Sequence, residues 1–308
     1  MKYLPMLAVK GNESFLDSDK HIFEPKLDGT RCVAEIGEDI KLFNRRQKNI
    51  TKRYPEIVDD LKNFDKVILD GEIICYNNGK PDFYRLQQRE HVESELIIEM
   101  RAKLMPATYV VFDILEWNGE EIIKKPLMER KELLERIWHK GKHVELIFYT
   151  ENGSELWKNV KKLELEGVMA KEKDSHYYPG ERRKEWIKIK NIKSIDVVIV
   201  GYTSIKREIS SLGMGLYDEN GDLLYIGKVG TGFDEKTMEL IKNKLKEVEK
   251  PTVKNYENAS NNMIWVLPEI VAEIEYLEKT GRNELRSPSF KRLRDDKEAR
   301  ECLISQLK

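Results

Sequence analysis

The chain has 308 residues, of which 40% are hydrophobic and 35% charged, and its 54 basic and 55 acidic residues give a formal net charge of −1. This length predicts about two domains. The balanced charge excludes a globally basic protein, so any nucleic acid must bind a local cationic patch.

The three cysteines, Cys32, Cys75 and Cys302, lie far apart. Their spacing excludes a CxxC zinc cluster and predicts no disulfide framework, which favours a reducing compartment. The short apolar run at the N-terminus is interrupted by Pro5 and Lys10 and is a poor signal peptide. No apolar run is long enough to span a bilayer. We therefore expect a cytoplasmic protein that makes no membrane contact.

The first strand-like segments begin at His21 and read HIFEPKL, RCVAEIG and IKLFNRR, with turns between them. They predict an antiparallel meander with Lys26 on or beside its first strand. A helix is expected to begin near Pro55. Beyond it the pattern predicts an apolar strand KVILDGEIICYN, a charged helical segment over 82–103, and a second apolar strand ATYVVFDILEW.

Further along, PLMERKELLERIWHK predicts an amphipathic helix, SELWKNVKKLELEG a second helix, VMAKEK a short strand and EWIKIKN an alternating strand. After Asn191, long strand-like segments and one helix, DEKTMELIKNKLKEV, suit a small closed barrel such as an OB-fold. We place the domain boundary there, giving domains 1–190 and 191–308.

The stretch EPKLDGTR, residues 24–31, concentrates residues that can carry chemistry. Lys26 can act as a nucleophile if nearby cations or desolvation lower the pKa of its amine. The carboxylate of Asp28 and the guanidinium of Arg31 follow closely, and Gly29 permits a close approach to a ligand. Taken alone, the stretch is equally typical of a solvent-exposed hairpin turn between two strands.

Two later strands carry charges that a plain structural role does not explain. Glu72 lies in the apolar strand DGEII, where an unpaired charge is costly. Lys188 and Lys190 in WIKIK are two residues apart and face the same side of a strand. Adjacent like charges are unfavourable unless an anion lies between them, and a phosphate is the natural candidate.

Taken in order, these stretches resemble the motifs of the covalent nucleotidyltransferases, most closely the ATP-dependent DNA ligases. The matching segments are KLDGTR, FNRRQKNIT, DGEII, VVFDIL, EGVMAK, WIKIK and the RxDK element Arg294-Asp295-Asp296-Lys297. In the second segment Asn44 stands where the family usually has serine. The resemblance implies an α+β protein: a nucleotidyltransferase (adenylation) domain of antiparallel sheets flanked by helices, followed by an OB-fold β-barrel.

The resemblance also implies the reaction and its residues. Lys26 would attack the α-phosphate of ATP to form lysyl-AMP, and nicked double-stranded DNA would be sealed through a 5′-adenylylated intermediate, in repair or end joining. Mg²⁺ or Mn²⁺ would be bound by Glu72 and Glu166. The residues implied to bind ATP or AMP are Glu24, Lys26, Arg31, Arg45, Glu72, Phe112, Lys188, Lys190, Arg294 and Lys297. We expect no N-terminal DNA-binding domain, because 25 residues precede Lys26. We also expect a monomer.

Several related activities remain as alternatives. A GTP-dependent mRNA capping enzyme shares KxDGxR, but its lysine pair usually runs into proline, whereas Asn191 follows Lys190 here. An RNA ligase shares the chemistry but typically lacks an OB-fold with RxDK. An NAD-dependent ligase would carry a cysteine zinc cluster, and a catalytically inactive DNA clamp would not need every chemical residue to be present.

Overall fold

The computed structural model describes residues 1–205, 208–280 and 284–307. The chain divides into two compact units, Met1–Asn191 and Ile192–Lys308. None of the helices in the described ranges is long and apolar enough to cross a membrane.

The strands and helices of the first unit follow the order of the sequence pattern. Its strands are β1 (Leu7–Lys10), β2 (His21–Pro25), β3 (Thr30–Ile36), β4 (Ile40–Asn44), β5 (Val67–Asn77), β6 (Lys80–Pro81), β7 (Ala107–Trp117), β8 (Glu120–Glu121), β9 (Val144–Leu146), β10 (Gly167–Glu172) and β11 (Arg182–Lys190). Its helices are α1 (Pro55–Leu61), α2 (Phe83–Glu90), α3 (Glu95–Leu104), α4 (Leu127–Arg136) and α5 (Gly153–Leu163). The predicted helix start at Pro55 is confirmed.

The strands of the first unit form two sheets. One has the order β1-β11-β10-β2, and the other has the order β4-β3-β5-β7-β8 with β6 on β5 and β9 on β7. The pairings β1 with β11 and β7 with β9 are parallel, while the remaining pairs are antiparallel. Helices pack on these sheets, so the unit has the expected α+β architecture. The two parallel strand pairs depart from the antiparallel sheets that we expected.

The predicted meander is wrong at its first strand. β2 pairs with β10, with Glu24 opposite Met169, whereas β3 pairs with β4 and β5 in the other sheet. The chain therefore crosses from one sheet to the other between Pro25 and Thr30. Hydrophobic alternation identifies a strand but does not identify its partner, which explains the error.

Gly29 lies at this crossing and packs against the backbone of β5. A Cβ atom built on Gly29 would lie 2.2 Å from the carbonyl oxygen of Ile73 and 2.9 Å from Cγ of Glu72. The lack of a side chain lets the crossing chain pass directly over β5. That Gly29 also admits a ligand stays a prediction.

The seven-stranded sheet buries side chains on both of its faces. Cys32, Leu69 and Tyr109 belong to one apolar cluster, while Val33, Ile68 and Val110, one position along each strand, belong to another. This follows from the period of two in a strand. The second cluster also contains Trp186 from β11, so it fills the space between the two sheets.

The second unit contains β12 (Lys193–Ile205), β13 (Glu208–Tyr217), β14 (Leu223–Val229), α6 (Glu235–Lys244), β15 (Glu247–Val248), β16 (Ile264–Tyr276) and β17 (Ser289–Leu293). The sheet order is β14-β13-β12-β16, with β15 and β17 both on β16. The amide of Phe290 in β17 donates to Thr231 O, just beyond β14, at 2.8 Å. This contact joins the two margins of the sheet into the small barrel of an OB-fold. Its five longer strands are β12, β13, β14, β16 and β17, and α6 lies between β14 and β16 in the chain.

Candidate active site

A cavity of about 950 Å³ lies within the first unit and is lined by residues of both sheets. Seven of the predicted nucleotide-binding residues line it: Glu24, Lys26, Arg31, Arg45, Glu72, Phe112 and Lys188. Motifs that lie far apart in the sequence of the first unit thus meet at one cavity.

The strand register of the smaller sheet explains how one wall of the cavity is built. Lys188, Met169 and Glu24 are paired across β11, β10 and β2, and they form one row on one face. Trp186 and Lys171 are paired two residues further along and form the next row on the same face. Sequence reasoning assigned no role to Met169 or Trp186. Alternation places Met169 on the same face as Lys171, and Trp186 on the same face as Lys188, but only the strand pairing brings these residues together.

The predicted nucleophile is paired with a carboxylate. The Nζ atom of Lys26 lies 2.5 Å from Oε2 of Glu166, and Nζ of Lys190 lies 3.5 Å from Oε1 of the same residue. Glu166 precedes β10 directly and its side chain is 9% exposed, whereas that of Lys26 is 20% exposed. The Lys26 amine is therefore partly open to the cavity, while the Glu166 side chain that binds it is mostly buried.

Glu72 approaches this pair from the opposite sheet. Burial raises the pKa of Glu72 to about 7, although the charges of Arg31 and Lys26 oppose the shift, and Glu166 adds to it. In the described ranges, no group of three or more His, Cys, Asp or Glu residues could hold a metal ion. Mg²⁺ often binds through one or two carboxylates together with substrate phosphates, and Glu72 with Glu166 fits that smaller donor set.

Arg31 is fixed by a buried acid that sequence reasoning did not assign. Its Nε and Nη2 atoms donate to Oδ1 and Oδ2 of Asp70 at 2.7 and 2.6 Å. The hydroxyl of Tyr177 donates to the same carboxylate at 2.7 Å. A fork of this kind sets the orientation of the guanidinium as well as its position.

Phe112 occupies a bulge in β7. Gly71 of β5 is opposite Val111 and Asp70 is opposite Asp113, so Phe112 is the additional residue. Bulges commonly redirect a side chain, and here the ring lines the cavity. The guanidinium of Arg31 lies 4.5 Å from the ring centroid of Phe112, at a cation–π distance.

Glu24 is part of a buried cluster of charges. Lys131 of α4 donates to Oε1 of Glu24, and Nζ of Lys171 lies 2.6 Å from Oε2. The Lys171 ammonium also lies 4.1 Å from the ring centroids of both Phe112 and Trp186. Burial lowers the pKa of Lys171 to about 8, while the charge of Glu24 opposes the shift.

Cations concentrate at the opening of the cavity. Oδ1 of Asn44 accepts hydrogen bonds from the amides of Arg46 and Lys48, both at 3.0 Å, which shapes the loop that carries Arg45. The side chain that replaces the family's serine therefore organises this loop. Partial burial lowers the pKa of Lys188, and the charges of Arg182 and Lys190 add to the effect. An anion among these side chains would relieve their repulsion.

Arg294 and Lys297 lie in the second unit, and both bind Asp196 of β12. The Nη1 atom of Arg294 donates to Oδ1 of Asp196 at 2.9 Å, and Nζ of Lys297 donates to Oδ2 at 2.6 Å. Arg294 also forms a fork with Asp296, with two bonds of 2.8 Å. The RxDK element is thus arranged around a carboxylate near the start of the barrel.

A two-sheet cavity holding a lysine, followed by an OB-type barrel, is the architecture of the nucleotidyltransferase-type ligases. The family model for the ATP dependent DNA ligase domain matches residues 5–190, and that for the ATP dependent DNA ligase C terminal region matches residues 205–297. The chain belongs to the ATP-dependent DNA ligase family.

Individual relatives agree with this membership. The multifunctional non-homologous end joining protein LigD of Mycolicibacterium smegmatis is 31% identical across 96% of this chain and 39% of its own length. The DNA ligase of Archaeoglobus fulgidus is 35% identical across 91% of this chain and 52% of its own. A solved structure of mycobacterial DNA ligase D complexed with ATP and MES covers 98% of both chains at 28% identity, with a TM-score of 0.57. The chain thus spans 39% and 52% of these two curated relatives.

The lowered pKa of Lys171 predicts a specific pH dependence of stability. Its pKa is about 8 in the folded chain against 10.5 ordinarily, so the folded state binds fewer protons than the unfolded state between these values. Relative to Lys171→Met, the free energy of unfolding of the wild-type protein should stay level below about pH 7 and rise from about pH 8 towards pH 10. Urea unfolding followed by tryptophan fluorescence measures both proteins, and a difference that does not vary with pH would contradict the assignment.

Proposed function

We propose that this chain seals nicks in double-stranded DNA, using ATP and a lysyl-AMP intermediate on Lys26. The observation that carries the proposal is that Lys26, which lies 2.5 Å from Glu166, lines a cavity together with Lys188, Arg45 and Glu72. A nucleophilic amine, an adjacent carboxylate pair and converging cations suit attack on a phosphorus atom better than they suit a structural role.

In the first step, the neutral amine of Lys26 attacks the α-phosphorus of ATP. A phosphoramidate bond forms, and the bond to the bridging oxygen of pyrophosphate breaks. Lys188 and Lys190 face the developing charge on the phosphate oxygens, where fixed cations lower the barrier. Mg²⁺ held by Glu72 and Glu166 would neutralise further phosphate charge.

Two further transfers complete the reaction. A 5′-phosphate oxygen of the nick attacks the α-phosphorus, which releases the Lys26 amine and leaves AMP on the DNA. The 3′-hydroxyl then attacks the 5′-phosphate, forms the phosphodiester bond and expels AMP. The same cations serve each transfer because all three occur at phosphorus.

DNA would bind mainly through its phosphate backbone. The overall charge of −1 supplies no general attraction, but Arg45, Arg46, Lys48 and Arg182 are all exposed side chains around the cavity. Binding through such contacts releases counterions and weakens with salt.

The similarity to LigD supports a role in repair or end joining. We propose that the protein acts as a monomer in the cytoplasm, where its three buried free cysteines would stay reduced.

Covalent labelling tests the nucleophile. Lys26→Ala should take up no label from α-labelled ATP with Mg²⁺, because no other amine replaces the lost one. Lys41→Ala, which changes an exposed lysine of β4, should label as the wild type does. Undiminished labelling of Lys26→Ala would move the nucleophile elsewhere.

The labelling assay and a sealing assay together separate the alternatives. Labelling of the wild-type protein by GTP in preference to ATP would favour a capping enzyme, and labelling by NAD would favour an NAD-dependent ligase. Equal sealing of nicked DNA and single-stranded RNA would favour an RNA ligase.

We further propose that Arg294 and Lys297 bind the β- and γ-phosphates of ATP, which leave as pyrophosphate in the first step alone. Arg294→Ala and Lys297→Ala should therefore slow self-adenylylation on the order of 100-fold, the usual effect of losing one charge-stabilising donor. Both variants should still seal a nick that already carries AMP. Arg292→Ala, which changes a neighbouring arginine paired with Glu273, is the control. Equal failure in both assays would refute this division of roles.

A further inference from the structure

Two lysines from different elements hold the carboxylate of Glu24. Lys131 reaches it from α4 and Lys171 from β10, and none of the three side chains is more than 4% exposed. Buried ion pairs are expensive to desolvate, and apolar side chains often stabilise such positions better. The cluster therefore calls for an explanation other than stability.

The position of the cluster links two parts of the cavity wall. Glu24 and Phe112 both line the cavity, Glu24 from the smaller sheet and Phe112 from the larger one. Lys171 contacts both, because its ammonium lies 2.6 Å from Glu24 and 4.1 Å from the Phe112 ring centroid. The carboxylate and the ring are thus fixed relative to each other.

Helix α4 holds Lys131 in a fixed position relative to Phe112. Arg130 is fully buried and forms a fork with Asp113, with bonds of 2.8 and 2.9 Å. Asp113 adjoins Phe112 in β7, and Lys131 adjoins Arg130 in α4. The buried fork therefore anchors α4 beside the ring and sets the reach of Lys131 towards Glu24.

We propose that Lys131 and Lys171 are positioning residues that set the choice of nucleobase by orienting Glu24 towards the 6-position of a purine held against Phe112. The inference rests on the proposed function, because it requires a nucleotide in this cavity. An ionised carboxylate only accepts hydrogen bonds, and each of its oxygens has two lone-pair directions. With one ammonium on each oxygen, the carboxylate retains a direction for a further donor.

This orientation distinguishes adenine from guanine. Adenine carries an amino donor at the 6-position, whereas guanine carries an oxygen acceptor there. The amino group would donate to Glu24, while the guanine oxygen would face another acceptor. The lysines themselves contact the carboxylate, and their effect on the base passes through it.

The experiment measures the second-order rate constant of self-adenylylation with ATP and with purine riboside triphosphate, which lacks the 6-amino group. A hydrogen bond to a charged acceptor predicts that the wild-type protein prefers ATP by about 10- to 100-fold. In Lys131→Met the carboxylate loses its orientation, so the preference should fall to within about 3-fold. The rate with GTP, relative to ATP, should rise in the same variant.

Two variants act as controls. Lys131→Arg keeps a charged donor and should retain the preference for ATP. Lys124→Met changes a lysine that precedes the same helix and is 84% exposed, and it should behave as the wild type does. Lys171→Met removes the other ammonium and provides the same test if circular dichroism shows that Lys131→Met does not fold.

A purely structural role would slow the reaction with both nucleotides equally and leave their ratio unchanged, which would overturn the proposal. A wild-type protein that does not distinguish ATP from purine riboside triphosphate would overturn it as well. Absence of any adduct between the wild-type protein and ATP would instead overturn the proposed function, so the two failures are distinguishable.

Discussion

The crossing of the chain from one sheet to the other between Pro25 and Thr30 is the constraint on which the cavity depends. β2 ends in the smaller sheet and β3 begins in the larger one, so Lys26 lies between them. The crossing is tight, because Gly29 packs directly on the backbone of β5. A Cβ atom at that position would displace the strand that carries Glu72. The location of Lys26, the predicted nucleophile, and that of the opposing carboxylate of Glu72 are therefore set by the same contact.

Electrostatics within the cavity follow from this geometry. Lys26 and Lys188 both line the cavity, and Glu166 compensates part of the local charge by pairing with Lys26 and Lys190. Glu72 approaches from the other sheet and its pKa is raised to about 7 by burial. Both the crowded ammonium groups and the two carboxylates would be stabilised by a phosphate group with a divalent cation. The arrangement resembles a site organised for a charged transition state in advance of the substrate.

The sequence was sufficient to predict most of the elements and seven of the residues that line the cavity, because strand alternation and motif order are local properties. It was insufficient to predict which strands pair. β2 was placed beside β3, although its partner β10 is more than 140 residues away in the chain. Met169 and Asp70 were missed for a related reason: the importance of Met169 depends on its pairing with Glu24, and that of Asp70 on its fork with Arg31. Neither relation is visible until the sheets are assembled.

Barrel formation in the second unit was predictable from its strand-like segments and single helix. The grouping of Arg294 and Lys297 around Asp196 was not, since about a hundred residues separate Asp196 from each of them. We propose that the sheet crossing makes Lys26 the residue that carries AMP. Mass mapping of peptides after incubation with ATP and Mg²⁺ tests this proposal most directly. We expect the adduct on the peptide containing Lys26, and we expect it to be lost on addition of nicked DNA. An adduct on Lys171, Lys188 or Lys190 instead would contradict it.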